Sequence, residues 1–314
     1  VIANNLSEHF TFHPLTAGVW AALAKPTGLA ASNAGIVDLG EQTLIFDTTY
    51  SPASATELRA AAESLTGRPV NYVLNSHWHS DHIYGNAVFA PETKIYATAY
   101  TRETMAEKTP ATISEFKTHW PEQLQEWAAK ARAAQTEAER LDYEDGVRFA
   151  QAIIHTFPQL ELRLPDHTFS ERVEFKGSRR TAEFITLGGG HTASDALLHL
   201  PAEQIIFTGD LLVVKNHPDL TYGDPHTWLT ILAQITALAP QCLLPGHGEL
   251  GTLIDVALIE RYLRETLQLA EEHRRADGTA ESAVALPPPA FTEGWSNAEA
   301  FGRNMKFLYE DESS

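Results

Sequence analysis

A single cysteine, Cys242, stands in 314 residues. That excludes an intramolecular disulfide and any thiolate-rich metal cluster. No unbroken apolar run approaches the ~18 residues a membrane-spanning helix requires, so the sequence predicts no membrane partner. Basic side chains are scarce, with 23 Lys and Arg against 41 Asp and Glu and a net charge of −18. A field of that sign repels nucleic-acid backbones, and the short basic groups at Lys176, Arg179-Arg180 and Arg274-Arg275 read as turn and helix-end charges. The chain shows neither an internal repeat nor the G-x-S-x-G elbow of a serine hydrolase. One thiol suits a cytoplasmic protein, while the start at Val1 leaves a removed leader open.

What is present is ordinary globular material: 43% hydrophobic and 9% aromatic residues, enough for a sizeable core. We expect one α/β domain over 1–314. Strands are predicted at HFTFH, NAGIVDL, QTLIFDT, VNYVLNS and KIYAT, with a helix at SPASATELRAAAESLTG stopped by Gly67. Trp120, Leu124, Trp127 and Ala131, then Val147, Ala150, Ile154 and Phe157, recur at helical spacing. They predict an inserted helical pair at about 112–157. Strands resume at HTFSERVEF, RTAEFITLG, ALLHLP and QIIFTGD. A helix over about 225–238, the strand QCLLPG and C-terminal helices over 252–314 follow. Two blocks of strands, each followed by helices, suggest two sheets between helical layers.

The stretch NYVLNSHWHSDHIYGN crowds His77, His79, Asp81 and His82 into six residues. Imidazoles so close together would repel if protonated, whereas a shared cation keeps them neutral. His77 and His79 lie two apart after a strand and point the same way. Asp81 and His82 follow where the chain turns, plausible ligands for a second ion. Three further ligand-type residues stand at expected strand ends: His191 in LGGGHT, Asp210 in IIFTGD and His247 in LLPGHG. A lone buried His or Asp is usually structural, but core packing does not predict seven such residues in this pattern. Imidazole and carboxylate donors without sulfur suit Zn²⁺ and tolerate Fe, Mn or Co.

The series HWHSDH, GGGHT, FTGD and PGHG resembles the metallo-β-lactamase superfamily, in order and over about 10–270. The resemblance implies an αββα four-layer sandwich with two metals at one edge. It assigns His77, His79 and His191 to the first ion, Asp81, His82 and His247 to the second, and Asp210 to a bridge. Asp47, in a segment similar to the family's opening hairpin, would support the ligands from behind. Asp210 resembles the glyoxalase II-like and lactonase-like branch, since β-lactamases of this family carry Cys or Ser there. Val213 stands where lactonase-like members carry Tyr.

The implied activity is a dinuclear zinc hydrolase of a small ester, thioester, lactone or amide, with promiscuity admitted. Two ions ~3.5–4 Å apart hold a bridging hydroxide as nucleophile. Asp81 and Asp210 are the candidate catalytic carboxylates. Trp78, Tyr84, Lys215 and His217 are candidates for the substrate pocket. The inserted helices are read as a lid, with a homodimer surface as the alternative. A mononuclear-iron sulfur dioxygenase of the same superfamily is the rival reading, and a phosphodiesterase or nuclease is disfavoured by the charge. Cys242 reads as a small buried apolar residue.

Overall fold

In the computed structural model, which describes residues 7–310, the strand-forming runs assemble into two sheets. The first has seven strands in sequence order: β1 (Phe10–Thr16), β2 (Val19–Ala24), β3 (Ala34–Asp38), β4 (Thr43–Phe46), β5 (Val70–Leu74), β6 (Lys94–Thr98) and β7 (His167–Phe169). Pairing is antiparallel from β1 to β4 and parallel from β4 to β6. A parallel step needs a crossover, and α1 (Pro52–Thr66) supplies it between β4 and β5. Its start is fixed by Ser51, whose hydroxyl accepts from the Ser54 N–H, with proline in the first turn. Its end is fixed by Gly67, left-handed at φ 72°, whose N–H reaches the Glu63 carbonyl. Phe10, Ile36, Ile45, Leu58, Val73 and Ile95 form a buried cluster here.

Two features of this part differ from the sequence reading. VWAALA forms β2, although three alanines give it little intrinsic strand preference. Its pairing with both β1 and β3 overrides that weakness. The inserted pair is present as α3 (Ala99–Ala133) and α4 (Glu137–Thr156), but α3 begins well before position 112. Thr98 caps it by accepting from the Thr101 N–H, and Pro110 and Pro121 lie inside it.

The second sheet has the order β12-β11-β10-β9-β8, formed by β8 (Arg172–Lys176), β9 (Thr181–Gly188), β10 (Asp195–Leu200), β11 (Ile205–Val213) and β12 (Cys242–His247). The run HTFSERVEF therefore does not form one strand: its first residues join the first sheet and 172–176 the second. Only β11 and β12 pair in parallel, across α5 (Pro225–Ala237). A capping box between Thr252 and Asp255 opens α6 (Leu253–Arg275), which is followed by α7 (Ala280–Ala283) and α8 (Glu299–Glu310). Trp228, Ile231, Tyr262, Phe301 and Met305 share a buried cluster with Leu211 and Leu212 of β11. Cys242 is only partly buried, at the first position of β12. The chain divides into two compact units, 1–168 and 169–314. Among the described residues, no helix is long and apolar enough to cross a membrane.

Candidate metal centre

In the first unit β5 ends at Leu74, so the ligand candidates stand on the loop beyond it and on the short helix α2 (Ser80–Ile83). The His77 ring lies 4.7 Å from that of His79 and 4.2 Å from that of His82, centre to centre. Asp81 brings Oδ2 to 3.4 Å from His82 Nε2. The opposite nitrogens are held by the protein. His82 Nδ1 is 2.8 Å from Asp47 Oδ2, and His77 Nδ1 is 2.9 Å from the Ser76 hydroxyl. Asp47 also accepts from the Ser76 N–H and hydroxyl, both at 2.8 Å. Burial pushes the Asp47 carboxyl upward from its ordinary pKa, against the pull of His82 and the Ser76 donors. Asp47 sits at φ 60°, a conformation unusual outside glycine and held here by three hydrogen bonds.

Two asparagines close this turn, and the sequence reading passed over both. Asn75 donates to the His82 carbonyl (3.2 Å) and to Asn86 Oδ1 (3.1 Å), while Asn86 donates back to Asn75 Oδ1 (2.9 Å). Thr48 meets the same group, its N–H reaching the His82 carbonyl at 2.9 Å. Gly85 is required for this approach, since a Cβ there would lie 2.1 Å from the Thr48 carbonyl oxygen. The available signal was positional: Asn75 and Asn86 bracket the His-rich stretch.

In the second unit the three ligand candidates come from separate elements. His191 lies in the loop after β9. Asp210 lies inside β11 and not at its end, where the pairing with β12 slips on both sides of Gly209. Gly209 is at φ 53°, and the slip turns the Asp210 side chain out of regular register. His247 is the last residue of β12. Asp210 Oδ2 lies 3.5 Å from His191 Nε2 and 3.4 Å from His247 Nε2. Gly246 leaves space for that carboxylate, because a Cβ there would stand 1.8 Å from Asp210 Oδ1. His191 Nδ1 is 2.9 Å from the Asp219 carbonyl oxygen. Asp195, buried, accepts from the Gly190 and Thr192 N–H groups and the Thr192 hydroxyl, fixing the loop that carries His191. Burial pushes the Asp195 carboxyl upward, with His191 and these donors opposing.

His191, Asp210 and His247 line a cavity of about 180 Å³ with Val213, Asn216, His217 and Asp219. His217 therefore shares a cavity with the ligand candidates of the second unit. It is buried, its Nδ1 3.3 Å from the Tyr262 hydroxyl, and burial lowers its pKa. Lys215 is exposed at φ 51°, and its carbonyl accepts from the Ser296 N–H. Trp78 is half-buried, its ring 4.5 Å from that of His79 and covered by Lys108 Nζ at 4.9 Å. Tyr84 is buried with Ile83, Met105 and Leu160, and stacks on Tyr50 at 6.0 Å. Burial raises its phenol's pKa, keeping it protonated.

All seven His and Asp residues are thus candidate metal ligands. They offer nitrogen and oxygen donors, and a second nitrogen of His77, His82 and His191 is anchored by a protein group within its own unit, as is usual for metal-ligating imidazoles. A model of the metallo-beta-lactamase superfamily matches residues 27–247. The protein belongs to that superfamily, whose members are generally hydrolytic enzymes. It is similar to a beta-lactamase-like protein 2 homolog of Caenorhabditis elegans, 22% identical over 79% of this chain and 68% of that one. It is 29% identical to a metallo-beta-lactamase type 2 of Bacteroides fragilis, over 29% of this chain and 38% of that one. A linear primary-alkylsulfatase of a Pseudomonas species is 19% identical over 68% of this chain. The chain spans about two fifths of each of those last two relatives. Among solved structures, a metallo-beta-lactamase from Pontibacter korlensis aligns with TM-score 0.59 at 19% identity, covering 81% of this chain and 99% of that one. The FIM-1 metallo-beta-lactamase of Pseudomonas aeruginosa, in a mono-zinc form, gives 0.56 at 18%, covering 84% and 98%. The mixed α/β fold of two sheets with helices is the metallo-β-lactamase fold.

Proposed function

We propose that the protein is a zinc-dependent hydrolase of small esters, thioesters, lactones or amides, with two divalent ions per chain. His77, His79 and His191 would hold one ion, Asp81, His82 and His247 the other, and Asp210 both. One observation carries the reading. His77, His82 and His191 each present Nδ1 to a protein partner, which leaves Nε2 as the ligand-side nitrogen in all three. When bound, such ions supply Lewis-acid polarisation and an activated water.

The chain's own residues then have separable tasks. Asp210, buried with its Oδ2 near two imidazoles, balances charge and fixes the spacing of the ligands. Asp81, only partly buried, would accept at its carboxylate the proton given up by the attacking water and return it to the leaving atom. The inserted helices select the substrate. Trp127, Tyr143 and Phe149 line a cavity of about 680 Å³ in the first unit, a size typical of small-ligand sites, with His9 and Leu29 and with none of the ligand candidates in its wall.

Metal analysis of protein never exposed to chelator tests this, followed by a panel of ester, thioester, lactone, amide, β-lactam and phosphodiester substrates. Sulfate esters join the panel because of the alkylsulfatase relative. Two zinc ions and turnover of a carboxylic ester, thioester, lactone or amide are expected; one iron with oxygen consumption would replace the reading by a dioxygenase. Trp127→Ala should change relative kcat/KM among substrates with metal content intact. An unchanged profile would make the insertion purely structural.

A further inference from the structure

The last helix, α8, lies outside the stretch matched by the superfamily model, yet it reaches the loop behind His191. Asn304, fully buried, donates through Nδ2 to the Pro218 carbonyl (2.7 Å) and accepts at Oδ1 from the Leu220 N–H (2.9 Å). The same Nδ2 lies 3.3 Å from the Tyr262 hydroxyl of α6. The side-chain amide thus pairs with the 218 C=O and the 220 N–H as a neighbouring strand would. In an extended segment those two groups share one edge, and the carbonyl of the residue between them points to the other. That carbonyl is Asp219's, and it meets His191 Nδ1 at 2.9 Å. The Asp219 carboxylate accepts from the Thr221 N–H (2.9 Å) and hydroxyl (2.5 Å) and lies 3.5 Å from Arg303, also of α8, contacts that hold the side chain and leave the carbonyl to the Asn304 pairing.

We propose that Asn304 is a positioning residue that selects the tautomer of His191. By turning the Asp219 carbonyl towards Nδ1 it requires the proton there, since a carbonyl only accepts. Nε2, the nitrogen 3.5 Å from Asp210, then carries the lone pair. The competence of His191 as a metal ligand is therefore set by the C-terminal helix. This rests on the metal-binding reading for its purpose but not for its test.

The test is made on the full chain without metal, by nitrogen-15 NMR of the histidine side chains, with His191→Gln assigning the resonance. Wild-type His191 is expected as the Nδ1–H tautomer. Asn304→Asp keeps the acceptor for Leu220 but sets a carboxylate oxygen against the Pro218 carbonyl. It should give a mixture of tautomers and weaken zinc binding, in competition with a chelator, by about 10–100-fold. Asn304→Ser, which keeps a hydroxyl in the same buried space, is the second variant should the first not fold. A wild-type His191 protonated at Nε2 overturns the proposal without any variant. So does a folded Asn304 variant with unchanged tautomer. A tautomer shift with no zinc bound by any form would uphold the positioning role and remove the metal reading instead.

Discussion

The two units hold their ligand candidates by different means. In the first, His77, His79, Asp81 and His82 share one turn, and its supports are side chains: Asp47, Ser76, Asn75 and Asn86. In the second, His191, Asp210 and His247 come from three elements. They depend on what glycine leaves vacant, on where one backbone carbonyl points and on a single buried carboxylate, Asp195, that fixes the His191 loop. The first arrangement tolerates movement of the surrounding sheet because its ligands travel together. The second transmits any shift of β11, β12 or the 218–220 loop to a single ligand. Damage to the second unit should therefore spare the fold and still remove metal.

The largest effect is expected for Asp210→Ala. Both imidazole neighbours lose their shared carboxylate, so turnover should fall below detection and at least one ion should be lost. Activity with both metals retained would show that Asp210 is no ligand. Gly246→Ala comes next. The new Cβ must displace the Asp210 carboxylate, while the Gly209 backbone, 3.0 Å away, constrains its escape. We expect a stability loss of about 1–3 kcal/mol, seen in thermal unfolding, with a much greater loss of metal affinity. Equal metal binding by Gly246→Ala and wild type would contradict the contrast drawn here.

Asp47→Asn probes the other unit. It leaves His82 and Ser76 facing an amide where they met a carboxylate, and zinc affinity should drop about 10–100-fold in a chelator competition. An effect larger than that of Gly246→Ala would reverse the ranking of the two units.

The smallest expected effect is on acid stability through His217. Burial lowers its pKa in the folded state, so below the ordinary histidine value of about 6.5 the unfolded chain binds more protons. Its contribution to stability is complete above that value and is lost as pH falls towards the depressed folded pKa. Thermal unfolding of His217→Gln should thus depend less on pH across this acidic window than wild type does. Parallel curves would show that His217 is not held neutral.

The same contrast explains what was legible in the sequence. HWHSDH is a local code: ligand-type residues one to five apart on one turn are visible without knowing the fold. α1 was equally plain, because Ser51, Pro52 and Gly67 are local signals. His191, Asp210 and His247 stood out only as ligand types at expected strand ends, and their division between two ions came from the resemblance to a known family. The bulge that moves Asp210 inside β11 depends on β12, more than thirty residues further along. β2 was invisible because partners on both sides, not VWAALA itself, make it a strand. Asn304 carries no local signature: its meaning lies in two hydrogen bonds to residues over eighty positions away.

Metal content measured on protein purified without chelator tests the central claim most directly, by elemental analysis against protein concentration. The seven-ligand reading predicts close to two ions per chain, with zinc the main element. A content near zero, unchanged after incubation with zinc and removal of the excess, would contradict it.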